Sequence, residues 1–90
     1  MQKVYLAGGM RGDWNTRVKA LEGFTFFDPK DKEEATMTVD EYAPWDLHYV
    51  KQADICFVYI KNDNPSCIGL AVEAGYAKGL GKTVILVLEL

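Results

Sequence analysis

The sequence predicts an α/β protein, a three-layer parallel sheet of four to five strands with flavodoxin-like or Rossmann-like topology. Two observations support this fold class. Strand-like apolar runs alternate with helical segments along the chain. The runs are continuously apolar, which is typical of parallel strands that helices cover on both faces through right-handed crossovers. The chain has 90 residues, so residues 1–90 are expected to form a single domain.

The N-terminal segment predicts the first strand and the first helix. Val4–Ala7 is an apolar run that Gly8–Gly9 brings to an end. Apolar residues then recur at helical spacing over Trp14–Leu21, which predicts a helix. Asp13 stands at the position of a helix cap, and Gly23 follows as a C-terminal stop.

A second strand and a second helix follow. Phe24–Phe27 predicts a short strand, which ends at Asp28–Pro29. Residues 30–39 are polar and charged without a clear period, so they are expected to form a loop. The second helix is expected to begin near Pro44, because proline suits the first helical turn, and to run to about Gln52.

The last part of the chain repeats the alternation. Asp54–Ile60 predicts the third strand, and Asn62–Pro65 has the composition of a turn. Ser66 or a neighbour is expected to cap a third helix that ends near Gly79–Gly81. Thr83–Leu88 predicts the fourth strand.

Composition and charge exclude several classes of partner. The net charge is −3 and the basic residues are scattered, which argues against a nucleic-acid polymer and leaves a small anionic ligand open. No apolar run approaches the length of a membrane span, and Met1–Ala7 is a strand start and not a secretory signal, so a cytoplasmic location is expected. Because so short a chain buries a modest share of its surface, a homodimer or a higher homo-oligomer is expected.

Cysteine and histidine give no metal or nucleophile motif. Cys56 and Cys67 form neither a disulfide framework nor a metal-binding spacing, and Cys56 is expected to be a small core residue. His48 is the only histidine and has no partner pattern, so a surface or core role is expected for it. We therefore expect neither a metal nor a cofactor.

A glycine-containing loop follows the first predicted strand. Gly8–Gly12 lets the backbone approach a ligand closely, and the N–H groups of the next helix favour an anion. Arg11 offers a charge-assisted hydrogen bond to a phosphate or carboxylate. The segment is neither GxGxxG nor a P-loop, and a plain tight turn explains it equally well.

Glu73 is the most informative acidic residue. Small and apolar residues surround it in Ser66–Ala77, a segment that follows the predicted strand at the carboxyl edge of the sheet, where open α/β sheets bind ligands. A lone carboxylate there is suited to chemistry at a sugar carbon, and a solvated helix glutamate is the alternative. Asp46 stands near the start of a predicted helix and is explained equally well by the helix dipole, and Asp54 is expected to be structural.

Three segments together resemble the nucleoside 2-deoxyribosyltransferase family and its relatives that hydrolyse deoxynucleoside monophosphates. They extend in order over nearly the whole chain: Val4–Gly12, Asp46–Asp54, and Gly69–Ala77 with Gly81–Ile85. The last segment is the most specific. Two further segments, Asp13–Trp14 and Phe27–Pro29, are similar to a less-studied branch of that superfamily.

The resemblance implies roles for individual residues. Glu73 matches the nucleophile that attacks the sugar C1′, Asp46 matches the aspartate that contacts and helps to protonate the base, and Tyr5 matches the tyrosine that positions the nucleophile. The implied substrate-binding residues, which line the 5′ end of the sugar or its phosphate, are Gly8, Gly9, Met10, Arg11, Gly12, Ser66 and Gly69. The implied partner is a small-molecule nucleoside or nucleotide.

Two departures from the family pattern keep a second interpretation open. Some members carry an aspartate six residues before the nucleophile, where this sequence has Cys67. Family members usually continue past the fourth strand, and that extension helps to complete a neighbouring subunit's site. The expected function is cleavage or transfer at the N-glycosidic bond of 2′-deoxynucleosides or their 5′-monophosphates, through a covalent glycosyl-glutamate. The alternative is a non-catalytic nucleotide-binding or sensing domain on the same fold.

Overall fold

The computed structural model of the protein describes residues 1–8, 13–29, 39–61 and 68–89. Strands and helices alternate through these residues, as the sequence predicts. In chain order the elements are β1 (Gln2–Gly8), α1 (Trp14–Lys19), β2 (Phe24–Phe27), α2 (Val39–Gln52), β3 (Ile55–Ile60), α3 (Ile68–Gly79) and β4 (Thr83–Leu88).

The four described strands form one parallel sheet in the order β2-β1-β3-β4. This order places β1 in the interior of the sheet, with Tyr5 in register with Phe27 on one side and Cys56 on the other. The arrangement confirms the predicted fold class and corresponds to the flavodoxin-like order. Because all the strands are parallel, their carboxyl ends meet at one edge, which we call the carboxyl edge.

Helices cover both faces of the sheet, and β1 contributes side chains to both cores. Tyr5 and Ala7 pack under α2 and α3 with Val50 and Ala77, on what we call the α2–α3 face. The opposite face, the α1 face, has a smaller core of Val4, Leu6 and Trp14. Both sets of β1 side chains are buried, which explains why the strand is apolar at every position from 4 to 7.

The amino edge of the sheet is closed by Asp54, which lies just before β3. The backbone N–H of Lys3 donates to Asp54 Oδ2 at 2.8 Å, and the N–H of Asp54 donates to the carbonyl of Lys3 at 2.8 Å. These two hydrogen bonds fix where β1 and β3 begin relative to each other. They agree with the structural role expected for Asp54.

Helix α2 begins earlier than the sequence predicts. It starts at Val39, so Pro44 lies inside the helix and not in its first turn. A proline there lacks the N–H that would bond the carbonyl four residues earlier, which costs an isolated helix stability. The buried residues Asp46 and Val50 lie on one side of the helix and, with the buried Ala53 just after its last residue, pack it against the sheet.

Helix α1 is shorter than predicted and is capped differently. It ends at Lys19, and the carboxylate of Asp13 makes no capping hydrogen bond to the described helix. Asp13 instead lies 3.7 Å from Nε of Arg17, an exposed pair one turn apart. Gly23 adopts a left-handed conformation with φ 89° in the turn before β2, which fits its expected role as a stop signal.

Some predicted features lie outside the described residues: most of the loop over 30–39, the turn over 62–65 and the cap at Ser66. Within the described ranges, no helix combines the length and the apolar character that crossing a membrane requires.

Candidate functional site

The hydroxyl of Tyr5 reaches from the central strand to helix α3. Tyr5 is fully buried on the α2–α3 face, and its hydroxyl donates to Glu73 Oε1 at 3.1 Å. The two residues are 68 positions apart in sequence, so only the folded chain brings them together. The hydrogen bond holds one carboxylate oxygen of Glu73 in a fixed position.

Glu73 is a partly buried carboxyl group whose pKa is raised to about 7. Burial is the largest cause, because a poorly solvated site disfavours the charged form. The nearby Asp46 carboxylate is the second cause, and a hydrogen bond shared with Asp46 also raises the pKa. The Tyr5 hydroxyl acts in the opposite direction, because it donates to the carboxylate form. Glu73 is therefore not a solvated helix glutamate.

Asp46 brings a second carboxyl group to the same place from helix α2. It is 6% exposed and lies one turn before Val50, which packs in the core of the α2–α3 face. Because two like charges close together repel, the pair retains a proton to higher pH than either acid alone would. Near neutral pH such a pair offers one carboxylate and one carboxylic acid. A carboxylate can act as a nucleophile or a general base, and a carboxylic acid can donate a proton.

Cys56 lies near Glu73, and its thiol is unreactive. It is buried on β3 in register with Tyr5. Burial and, to a smaller extent, the Glu73 carboxylate raise the pKa of the thiol to about 12. The thiol stays protonated at neutral pH, so Cys56 acts as a small core residue, as expected from the sequence.

A row of aromatic side chains lies along the helix that carries Asp46, and the sequence does not predict it. Tyr49 packs on Phe27 with ring centroids 5.0 Å apart, and Trp45 stacks on Tyr49 at 6.2 Å. His48 adds an edge-on contact to the same tyrosine at 5.6 Å. The available signal was the pair Trp45 and Tyr49, which are four residues apart on the helix that carries Asp46.

A polar cluster at the end of β2 was also missed. Asp28 accepts a hydrogen bond from Asn15 Nδ2 at 2.7 Å, and it forms an ion pair with Lys19, whose Nζ lies 2.9 Å away. Asn15 is 4% exposed, and its Oδ1 has no hydrogen-bond partner among the residues that the structure describes. The cluster ties α1 to the carboxyl end of β2. From the sequence, Asp28 is expected only to end the second strand.

The structure brings Tyr5, Asp46 and Glu73 together, and it describes the predicted substrate-binding residues only in part. Gly8 ends β1, and a Cβ there would overlap the ring of Trp14, so packing requires glycine at this position. Gly69 lies in the first turn of α3. The other predicted binding residues lie outside the described residues: Gly9, Met10, Arg11, Gly12 and Ser66.

Comparisons with known proteins identify the same family at the level of sequence and of fold. A family model described as "Nucleoside 2-deoxyribosyltransferase like" matches residues 1–90. A 2-deoxyribosyltransferase structure from Bacillus psychrosaccharolyticus is similar at TM-score 0.72 and 31% identity, over 96% of this chain and 72% of that one. No curated protein matches the sequence.

A second solved structure is also similar to this chain in fold. The 2-deoxyribosyltransferase from Leishmania mexicana superposes with a TM-score of 0.79 at 22% identity. The match covers 98% of this chain, which spans 65% of the length of that protein.

Proposed function

The chain belongs to the nucleoside 2-deoxyribosyltransferase-like family, and from that premise we propose that it cleaves or transfers at the N-glycosidic bond of 2′-deoxynucleosides. One observation carries the proposal. The Tyr5 hydroxyl donates to Glu73 at 3.1 Å, and Glu73 shares a hydrogen bond with Asp46, so a positioned carboxylate lies beside a second acid. The two similar structures are both of 2-deoxyribosyltransferases.

Glu73 acts as the nucleophile. The Tyr5 hydroxyl holds one of its oxygens, which orients the carboxylate for attack on C1′ of the deoxyribose. As the bond from C1′ to the base breaks, positive charge develops at C1′, and a carboxylate next to that carbon stabilises it. The product of this step is a glycosyl ester on Glu73. The ester splits one difficult displacement into two easier ones.

Asp46 supplies the proton that the leaving base needs. The electron pair of the glycosidic bond moves to the base nitrogen, and protonation of the base makes it a better leaving group. The pKa of Glu73, raised to about 7, means that the pair retains one proton near neutral pH. That proton must reside on Asp46 while Glu73 attacks, and the developing charge at C1′ favours that distribution because it stabilises the Glu73 carboxylate.

The second half of the reaction is the reverse of the first with a different nucleophile. An acceptor base attacks C1′, transfers its proton to Asp46 and yields a new nucleoside. Water in the same place yields deoxyribose from a nucleoside, or deoxyribose 5-phosphate from a 5′-monophosphate, and makes the enzyme a hydrolase. The substrate in either case is a small-molecule nucleoside or a 5′-monophosphate, and Gly8–Gly12, Ser66 and Gly69 are proposed to hold its sugar or 5′ group.

The test is release of free base by the purified protein, from 2′-deoxynucleosides and from their 5′-monophosphates, with and without an acceptor base. Transfer predicts a new nucleoside only when an acceptor is present, and hydrolysis predicts free sugar without one. Mass spectrometry of protein quenched during turnover should find a deoxyribosyl group on the peptide that contains Glu73. If the protein binds these compounds and releases no base, the proposed activity is wrong and the protein is a nucleotide-binding domain.

A further inference from the structure

Trp45 is a large aromatic residue that the fold leaves half in solvent. Its exposed fraction is 51%, whereas the other tryptophan, Trp14, is 4% exposed. Trp45 is the residue immediately before the buried Asp46 on helix α2. A single exposed hydrophobic side chain is ordinary on a protein surface, so its exposure alone decides nothing.

The contacts of Trp45 give its ring a defined orientation. The ring is stacked on Tyr49 with an angle of 24° between the planes, and Tyr49 is in turn packed on Phe27. Tyr49 and Phe27 are partly buried and pack against the core of the α2–α3 face, and Phe27 pairs in register with Tyr5 on the neighbouring strand. A continuous series of contacts therefore connects the exposed ring to the tyrosine that binds Glu73.

We propose that Trp45 is a specificity-determining residue on which the nucleobase of the substrate stacks. The inference rests on the proposed function and adds to it the means of recognising the base. Asp46 is the acid that must reach the base nitrogen, and Trp45 extends a row of aromatic rings that starts at Phe27, the last residue of β2 at the carboxyl edge, and continues through Tyr49. Flat heterocycles stack on aromatic rings without regard to their hydrogen-bonding groups.

A stacking surface of this kind favours large bases. A bicyclic purine covers more of an indole ring than a pyrimidine does, and the aromatic pair beneath Trp45 has already immobilised the ring before binding. Purine deoxynucleosides should therefore bind more tightly than pyrimidine deoxynucleosides. Removal of the Trp45 ring should therefore weaken the binding of purine deoxynucleosides more than that of pyrimidine deoxynucleosides.

The first measurement is tryptophan fluorescence in the Glu73→Ala protein, which binds substrate without turning it over. The chain has two tryptophans, so the exposed one dominates the long-wavelength emission. Addition of 2′-deoxyadenosine should quench that emission, and the additional Trp45→Phe substitution should abolish the quenching. Equilibrium dialysis on the same two proteins measures the affinity for 2′-deoxyadenosine without relying on tryptophan fluorescence.

The second measurement separates binding from chemistry. Trp45→Ala should raise KM for 2′-deoxyadenosine by about ten-fold or more, with kcat changed far less. Trp45→Phe should fall between Ala and wild type, because it keeps a smaller aromatic ring. Phe24→Ala is the matched control, an exposed aromatic at the start of β2 and away from the carboxyl edge, and it should leave KM unchanged.

The outcomes distinguish this inference from the proposed function. Base release with an unchanged KM in Trp45→Ala, or a change no larger than in Phe24→Ala, overturns the stacking role and leaves the activity in place. Ligand binding without turnover overturns the activity, and the quenching experiment still decides the role of Trp45. A protein that neither binds nor cleaves deoxynucleosides overturns both.

Discussion

Two carboxylates that the fold shields from water have opposite electrostatic surroundings. Asp28, at the end of β2, receives a hydrogen bond from Asn15 and an ion pair from Lys19. Glu73, on α3, lies beside another carboxylate, and the Tyr5 hydroxyl offsets this only in part. The first arrangement neutralises a buried charge and stabilises the fold. The second leaves a charge poorly compensated, which is characteristic of groups that do chemistry.

The two faces of the sheet also differ in whether their cores adjoin a pair of acidic groups. On the α1 face, Trp14 stacks on Phe57 and Tyr59 with ring centroids 6.3 and 5.1 Å apart, and its core is apolar. On the α2–α3 face, the apolar core borders two acids that come from neighbouring helices. Substitutions at the Asp28 cluster should therefore change stability, and substitutions at the Glu73 pair should change activity.

The largest expected effect is that of Glu73→Ala on base release. Loss of the nucleophile should lower the rate by roughly a thousand-fold or more, because covalent catalysis then has no attacking group. The melting temperature should be unchanged or higher, since alanine has the better helix propensity and a poorly solvated charge is removed. Rates and thermal melts on the same protein preparation check both parts. Turnover close to that of wild type would show that Glu73 is not the nucleophile.

Asp46→Asn should have the next largest effect, and the effect should depend on the leaving base. Without a proton donor, poor leaving bases should react about 100- to 10,000-fold more slowly, and good ones should lose far less. The substitution also removes the charge that raises the pKa of Glu73, so that pKa should fall. Base release from several deoxynucleosides across a pH series measures both changes. An equal loss for all leaving bases would argue against proton donation by Asp46.

Lys19→Met should destabilise the fold without touching the chemistry. It leaves the Asp28 carboxylate buried and less compensated, which should cost about 1–3 kcal/mol of unfolding free energy. The matched control is Arg17→Met, which breaks the largely exposed pair with Asp13 and a hydrogen bond to the solvent-exposed hydroxyl of Tyr59. Urea unfolding of the two variants should separate them clearly, because exposed pairs contribute little. Equal stability of the two variants would contradict the comparison between the sites.

An effect of similar size, present only at higher pH, is a gain in stability in Glu73→Gln. The pKa of Glu73 is raised from 4.5 to about 7 by folding, so the folded state binds its proton more tightly than the unfolded state does. This contribution is fully present below about pH 4.5 and is lost as the pH rises through 7. Glutamine does not titrate, so the variant should be more stable than wild type by about 1–3 kcal/mol above pH 7.

Thermal or urea unfolding at pH 5 and at pH 8 measures this difference. The exposed Glu22 provides the control, because Glu22→Gln should alter stability equally at the two pH values. A Glu73→Gln variant with the same advantage at both pH values would mean that folding leaves the proton affinity of Glu73 unchanged.

Local sequence patterns predicted the elements more accurately than their ends. Phe24–Phe27 and Thr83–Leu88 are strands with the predicted bounds, because a short apolar run between turn residues has few other conformations. The start of α2 was wrong by five residues, since Pro44 is favourable in a first turn and the sequence does not reveal that packing tolerates it further in.

The sequence by itself determined the fold class and singled out Glu73, because alternation, apolar content and a lone acid among small residues are properties of neighbouring positions. The tertiary structure decided the rest. The hydrogen bond from Tyr5, the proximity of Asp46 and the aromatic row ending at Trp45 depend on residues far apart in the chain. So does the raised pKa of Glu73, because burial and the field of a neighbouring charge exist only once the helices are packed on the sheet.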